Sequence, residues 1–292
     1  MSLPSDDAAG LIVARIGDFA AGRLQRAREG RVRAVFERSA YVELDGQWIC
    51  IGGERLGCGP LNALVASASA INRALATLVQ DRPLRGTWPR FRTDHALLDF
   101  TRAKRWHPTL PALPIERACV ARGVARMQRA ARARIPRDGL AFVVADVSGT
   151  GALAVPGVAA ASALQTWLAG GLTPPDALRQ VVGLGPGLTP SGDDFLGGAL
   201  VALHAFGKRE IARALGAWLL PLCERATHPV SVAHLEAAAH GEGGEALHAC
   251  LLALANDRNP DGALDAIAAV GHTSGWDALA GAMTVASAIV RD

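Results

Sequence analysis

Four of the six residues from Thr189 to Asp194 carry a hydroxyl or a carboxyl group: Thr189, Ser191, Asp193 and Asp194. They follow a loop rich in glycine and proline (Gly183, Gly185, Pro186, Gly187, Pro190) and precede the apolar run FLGGAL. That order reads as loop, helix start and buried helix. Ser191 stands three residues before Asp194, the spacing of a capping box. Amides and the dipole at a helix N-terminus attract anions, and glycines such as Gly185, Gly187 and Gly192 let a backbone approach one closely. Two carboxylates beside a phosphate would repel it. A phosphate here therefore calls for a bridging cation, Mg²⁺ held by Asp193 and Asp194. The competing reading is that Ser191 and Asp194 only cap a helix, although a cap does not require Asp193.

The established phosphate signatures do not fit. A P-loop needs Lys and then Ser or Thr after its second glycine, whereas Gly192 is followed by Asp193. A dinucleotide fingerprint needs G-x-G-x-x-G, and Gly187 comes one residue too early after Gly183 and Gly185. No nucleotide or redox cofactor is expected.

The same pattern returns near the C-terminus. SGDDFLGGAL from Ser191 aligns with SGWDALAGAM from Ser274, matching Gly192 with Gly275, Asp194 with Asp277 and Gly198 with Gly281, with Thr189 and Thr273 ahead of the two serines. Two helices thus begin with one chemistry, and if they converge they could share a ligand. The alternative is that S-G-x-D is simply a good start for an alanine-rich helix. His272, within GHTSG, is the histidine placed to carry a proton or contact a phosphate; a structural loop histidine is the competing reading. Ser231, in the T-x-P-V-S segment from Thr227, is another hydroxyl at a helix start. Asn62, after the turn Gly57–Leu61, is a further ligand candidate, against a plain role at the entry to the next element.

The elements that must position these groups fall into two halves. Val32, Ala34 and Phe36 alternate as in a strand, and YVELDGQWICIG is a hairpin around Asp45-Gly46, a type I′ pair. Leu97–Phe100 and Gly139–Val147 read as strands, and Gly149–Gly157 as a turn and short strand. Ile115–Ile135 reads as one amphipathic helix. From about Val158 the signals are helical, with Pro174-Pro175 opening a helix. The expected fold is α+β: a small antiparallel-sheet-containing domain over 1–150, then an all-helical domain over 151–292 that carries the site.

Composition narrows the function classes. The 292 residues are 50% hydrophobic and 20% charged, as in a globular chain, and a net charge of +3 does not by itself imply nucleic acid. Arg122, Arg126 and Arg129 form a helical stripe, but no aromatic residues interleave with them, which argues against single-strand binding. Arg105 beside Trp106 could clamp a carboxylate or phosphate; arginine packed on a surface tryptophan is the competing reading. His228, His234 and His240 are six apart and do not share a helical face, so a three-histidine metal site is not expected. Five cysteines without C-x-x-C spacing read as buried thiols in a reducing cytoplasm. The N-terminal MSLPSDDAAG lacks the regions of a signal peptide, and no apolar run reaches the roughly 20 residues of a membrane span.

With GLGPGLTPSGDDFLGG, the Thr227–Ser231 segment and GHTSGWDALAG in that order, the chain resembles a bacterial family associated with a subunit of oxamate carbamoyltransferase. The hairpin, Gly59-Pro60-Leu61-Asn62 and Trp106-His107-Pro108 belong to the same resemblance. It implies a multisubunit transferase that interconverts carbamoyl phosphate plus oxamate with oxalurate plus phosphate, in purine-derived allantoin breakdown. It also implies partner subunits, one resembling acyl-CoA synthetases; a further copy of the chain is another partner left open. Under this reading Gly185, Gly187, Thr189, Ser191, Gly192, Ser231, Thr273, Ser274, Gly275 and Asn62 bind an anionic carbamoyl or phosphate substrate, and Asp193, Asp194, Asp277 and His272 supply base and acid chemistry. The alternative is a non-catalytic scaffold or regulatory anion-binding subunit.

Overall fold

The computed structural model describes residues 9–291 apart from 111 and 114, so the first eight residues of the polar N-terminal stretch lie outside the described residues. The chain divides into two compact units at Pro108/Thr109.

The first unit holds nine strands, β1 Ala9–Gly17, β2 Glu29–Val35, β3 Ser39–Leu44, β4 Gln47–Gly53, β5 Asn62–Val65, β6 Pro83–Thr87, β7 Arg90–Arg92, β8 Ala96–Asp99 and β9 Lys104–Trp106, with helices α1 Asp18–Leu24 and α2 Ala68–Thr77. The hairpin forms as its turn residues dictate. β3 and β4 pair antiparallel from Leu44↔Gln47 to Ser39↔Gly52, and Asp45 and Gly46 take φ of 46° and 77°, the left-handed pair a type I′ turn requires. Along β3 alternate residues are buried, Ala40, Val42 and Leu44 facing inward. A Cβ at Gly46 is strained by its φ; Gly46→Ala is expected to lower barrel stability by about 1 kcal/mol, read as a fall in denaturant midpoint at unchanged m-value.

The expectation of a small antiparallel sheet is overturned by the closure of the strands into a barrel. Eight strands run β5-β4-β3-β2-β6-β7-β8-β1, and β1 returns to β5. One edge of β1 pairs in parallel first with β8 and then with β9, while its other edge pairs antiparallel with β5 across Val13↔Val65. β4 and β5 are also parallel. Leu11, Val13, Ile16, Val32, Val42, Ile49, Ile51, Phe91 and Leu98 fill the interior. Closure removes the exposed edges that a small open sheet would leave.

The second unit is helical: α3 Arg117–Ala131, α4 Ala141–Ala145, α5 Ala154–Leu168, α6 Ser191–Ala205, α7 Arg209–Ala226, α8 Pro229–Ala239, α9 Glu245–Ala255, α10 Asp261–Ala268 and α11 Ser274–Arg291. Two strand expectations fail here. The run AFVVA is α4, closed by Asp146 in the left-handed conformation, and the stretch read as a short strand before Gly157 enters α5. A short apolar run has no periodicity that separates a strand from a buried helix. Likewise Pro174-Pro175 leads into a single 3₁₀ segment, Asp176–Val181, not an α-helix. The unit starts at Thr109, ahead of the division expected near residue 150, because α3 and α4 give Val120, Met127, Leu140 and Val144 to the helical core.

α6 and α11 lie at the centre of this unit and bury most of their residues, as helices apolar on most sides must. Their crossing needs glycine on both sides. A Cβ on Gly198 would sit 1.8 Å from the Ala278 carbonyl oxygen, and one on Gly281 would sit 1.8 Å from that of Phe195. Gly198 and Phe195 correspond to Gly281 and Ala278 in the sequence repeat, so the two helices cross with pseudo-two-fold symmetry.

The arginine stripe of α3 is met by carboxylates of its own unit. Arg122 and Arg126 each lie 2.9 Å from Asp257, and Arg134 pairs with Asp261 and Asp265. These cations serve helix packing at the surface. The described cysteines are free, and burial pushes the thiols of Cys223 and Cys250 up to about 12. Among the described residues no helix is long and apolar enough to cross a membrane.

Candidate functional site at the α6–α11 crossing

The two S-G-x-D starts meet. Thr189 Oγ1 and Ser274 Oγ are 3.1 Å apart, and each serine bears on the aspartate of the other repeat: Ser274 on Asp194, Ser191 on Asp277. This exchange follows from the pseudo-two-fold crossing, which turns each helix's first side chains toward the start of the other.

The capping box does not form. α6 begins at Ser191 after Pro190, with no side-chain cap. The Pro190 carbonyl accepts from the amides of Asp193 and Asp194 at 2.9 and 3.0 Å, and Leu184 O accepts from Gly192 N at 3.0 Å. At the second start Val270 O accepts from Gly275 N at 3.1 Å, and Thr273 O from Asp277 N at 2.9 Å. The amides of Gly192, Asp193, Asp194, Gly275 and Asp277 are thus engaged by the chain's own carbonyls. Gly192 and Gly275 make this possible: a Cβ would lie 1.8 Å from Val181 O at the first and 2.1 Å from Ile267 O at the second.

Asp193 and Asp194 are adjacent in sequence but separate in task. Asp193 is 1% exposed and fully engaged. Its Oδ1 accepts from Gly183 N at 2.7 Å, and its Oδ2 accepts from Ser231 Oγ at 2.7 Å and from the Thr227 hydroxyl. It ties the glycine loop to the entry of α8, where Pro229 occupies the first turn. Asp193→Ala leaves three donors without their acceptor and is expected to cost about 3 kcal/mol of stability, measured by chemical denaturation.

Asp194 and Asp277 are different. Asp277 is fully buried; its Oδ1 accepts from Leu140 N at 2.5 Å, and a Cβ on Gly139 would sit 2.5 Å from that oxygen. The Oδ2 atoms of both aspartates are buried and have no hydrogen-bond partner among the described residues. Burial raises the Asp194 carboxyl well above its ordinary value, and the charges of Asp277 and Asp193 raise it further against the Ser274 and Thr189 hydroxyls. Burial likewise raises Asp277, opposed by the Leu140 amide, the Ser191 and Thr273 hydroxyls and the charge of His272. The charge of Asp277 thus acts on Asp194, and burial disfavours the charged form of each.

The remaining candidates lie further out. The side chain of His272 is 85% exposed, 3.7 Å from Asp138. Gly187 is exposed with φ 93°, and Gly185 with φ 123° lies against Ser191. Asn62 belongs to the barrel unit, where its Nδ2 donates to Gly57 O at 3.0 Å and closes its own turn. In the same unit Arg105 and His107 meet the chain's own Asp18. Among the described residues no group of three or more His, Cys, Asp or Glu is arranged to hold a metal. Residue spacing gives no sign of Leu140, whose amide donates to Asp277, or of the contacts made by the crossing glycines Gly198 and Gly281. Only the glycines left a trace, in the aligned repeat.

A comparison with solved structures finds no match. Residues 181–286, which span both S-G-x-D starts and the Thr227–Ser231 segment, match the family model described as oxamate carbamoyltransferase subunit AllH, and this match associates the chain with that subunit of a carbamoyltransferase.

Proposed function

We propose that this chain is the subunit of an oxamate-type carbamoyltransferase that binds the small carbamoyl substrate, with the Asp194–Asp277 pair as the centre of its site. The observation that carries the reading is that the matched segment encloses both aspartate-bearing helix starts, which fold against one another with two carboxylate oxygens unpartnered.

The reaction suits the pair. In the forward direction the amide nitrogen of oxamate attacks the carbonyl carbon of carbamoyl phosphate. A C–N bond forms, the C–O bond to phosphate breaks with its electrons leaving on phosphate, and one proton leaves the nitrogen. Asp194, with its affinity for a proton raised by burial, is the base placed to take it. Thr189 and Ser274 stand beside it to donate toward developing charge. Phosphate would lie on the outer loop side near His272 and Gly187. The other subunits, among them one resembling acyl-CoA synthetases, complete the enzyme.

The test is a thermal-shift titration of the purified chain with carbamoyl phosphate, phosphate, oxamate and oxalurate, each with and without Mg²⁺. A ligand at about 100 times its Kd adds roughly 2.7 kcal/mol to stability. A rise with carbamoyl phosphate or oxamate that disappears in Asp194→Asn supports the site. If no ligand raises the melting temperature while the assembled enzyme turns over, the chain is a scaffold subunit and the reading fails.

A further inference from the structure

We infer that the Asp194–Asp277 pair recognises the –C(O)NH₂ group of its substrate through the two N–H bonds, and that it does not hold an oxyanion. This deepens the reading above and rests on it for the identity of the substrate, while the chemistry of recognition follows from the pair itself. Both Oδ2 atoms are acceptors buried without a donor, and Asp277 is fully buried. A buried acceptor left without a donor costs on the order of 1–3 kcal/mol, a debit that a ligand with matching N–H groups removes. An oxyanion supplies no donor. It would also enter beside the charges of Asp277 and Asp193, which already raise Asp194, and the amides of Gly192, Asp193, Asp194, Gly275 and Asp277 are engaged by Leu184, Pro190, Val270 and Thr273.

A carboxamide or carbamoyl group meets the opposite conditions. It is neutral, so it adds no like charge. Its NH₂ offers two coplanar donors, and the crossing presents one unpartnered oxygen from each pseudo-two-fold half. Its carbonyl oxygen needs a donor, and the Thr189 and Ser274 hydroxyls, 3.1 Å apart and set against Asp194, are the donors beside the pair, able to turn from the carboxylate to the ligand.

The experiment is isothermal titration of the whole chain with oxamate, with oxalate, in which a carboxylate replaces the carboxamide, with inorganic phosphate, and with urea and acetamide. Wild type is expected to bind oxamate at least about tenfold more tightly than oxalate. In Asp194→Asn, where an NH₂ donor replaces an acceptor, oxamate affinity should fall about tenfold or more while phosphate affinity holds. The oxamate-to-oxalate ratio needs no variant, so a folding defect does not remove the test. Equal affinities for oxamate and oxalate, or no oxamate binding at millimolar concentration, overturn the inference. Binding of urea and acetamide without carbamoyl transfer by the assembled enzyme would instead sink the transferase reading and leave carboxamide recognition standing. Turnover with no discrimination between oxamate and oxalate would do the reverse.

Discussion

Gly198→Ala is expected to destabilise the helical unit by roughly 3 kcal/mol, lowering its melting temperature by roughly 6 to 12 °C. The added methyl would stand 1.8 Å from the carbonyl oxygen of Ala278, a backbone atom on the partner helix that cannot rotate away. α6 and α11 would have to separate, and packing along both buried faces would loosen with them. Gly281→Ala should behave alike, since its methyl meets Phe195 O at the same distance. The neighbouring Gly197 is the control. There a Cβ would rest 3.7 Å from Leu235 Cδ2, an ordinary contact, so Gly197→Ala removes only the helical cost of glycine and is expected to stabilise by about 0.5 to 1 kcal/mol. Opposite signs at adjacent glycines, measured by calorimetric melting, would establish the crossing. Equal small effects would contradict it.

The second large effect is expected at Asp194, where stability and activity should move in opposite directions. Burial holds the folded-state affinity of this carboxyl for a proton well above its ordinary value. The stability it contributes is therefore complete below the unfolded value and is lost as pH rises through the folded one. Asparagine has the same shape and does not ionise. Asp194→Asn should melt with wild type near pH 4 and above it near pH 8, the gap widening between. In the assembled transferase the same change should lower turnover about 10²- to 10³-fold, because the acceptor and base are gone. A variant that is more stable yet fully active would return the carboxylate to a purely structural role at the crossing.

What could be read from the chain follows the range of the interactions. Asp45-Gly46 announced its hairpin because a type I′ turn is decided by two residues. The repeat at Ser191 and Ser274 was visible because each copy is continuous in sequence, and its glycines Gly198 and Gly281 take matching places against the opposite helix. The structural task of Asp193 was hidden for the complementary reason. Its partners Thr227 and Ser231 lie far along the chain, and only the folded loop brings them to its carboxylate. The capping box failed because Pro190 already presented a backbone acceptor. The run AFVVA became a helix because its surroundings are helical and not through any signal of its own. The barrel was hidden because its closure rests on three pairings of one early strand with later ones.

That early strand imposes an order on how the protein can be made. Leu11, Val13 and Ile16 leave the ribosome before any of their partners, yet the lanes beside them are filled by residues as late as Arg105. At cellular rates of synthesis the interval is on the order of ten seconds. Until β5 is made this apolar strand has neither edge covered, and its second edge waits for β8 and β9, while the β2–β4 meander can already pair locally. The barrel therefore closes with the segment that was born first, and nascent chains stalled before residue 106 should depend on chaperones in a way that slightly longer ones do not.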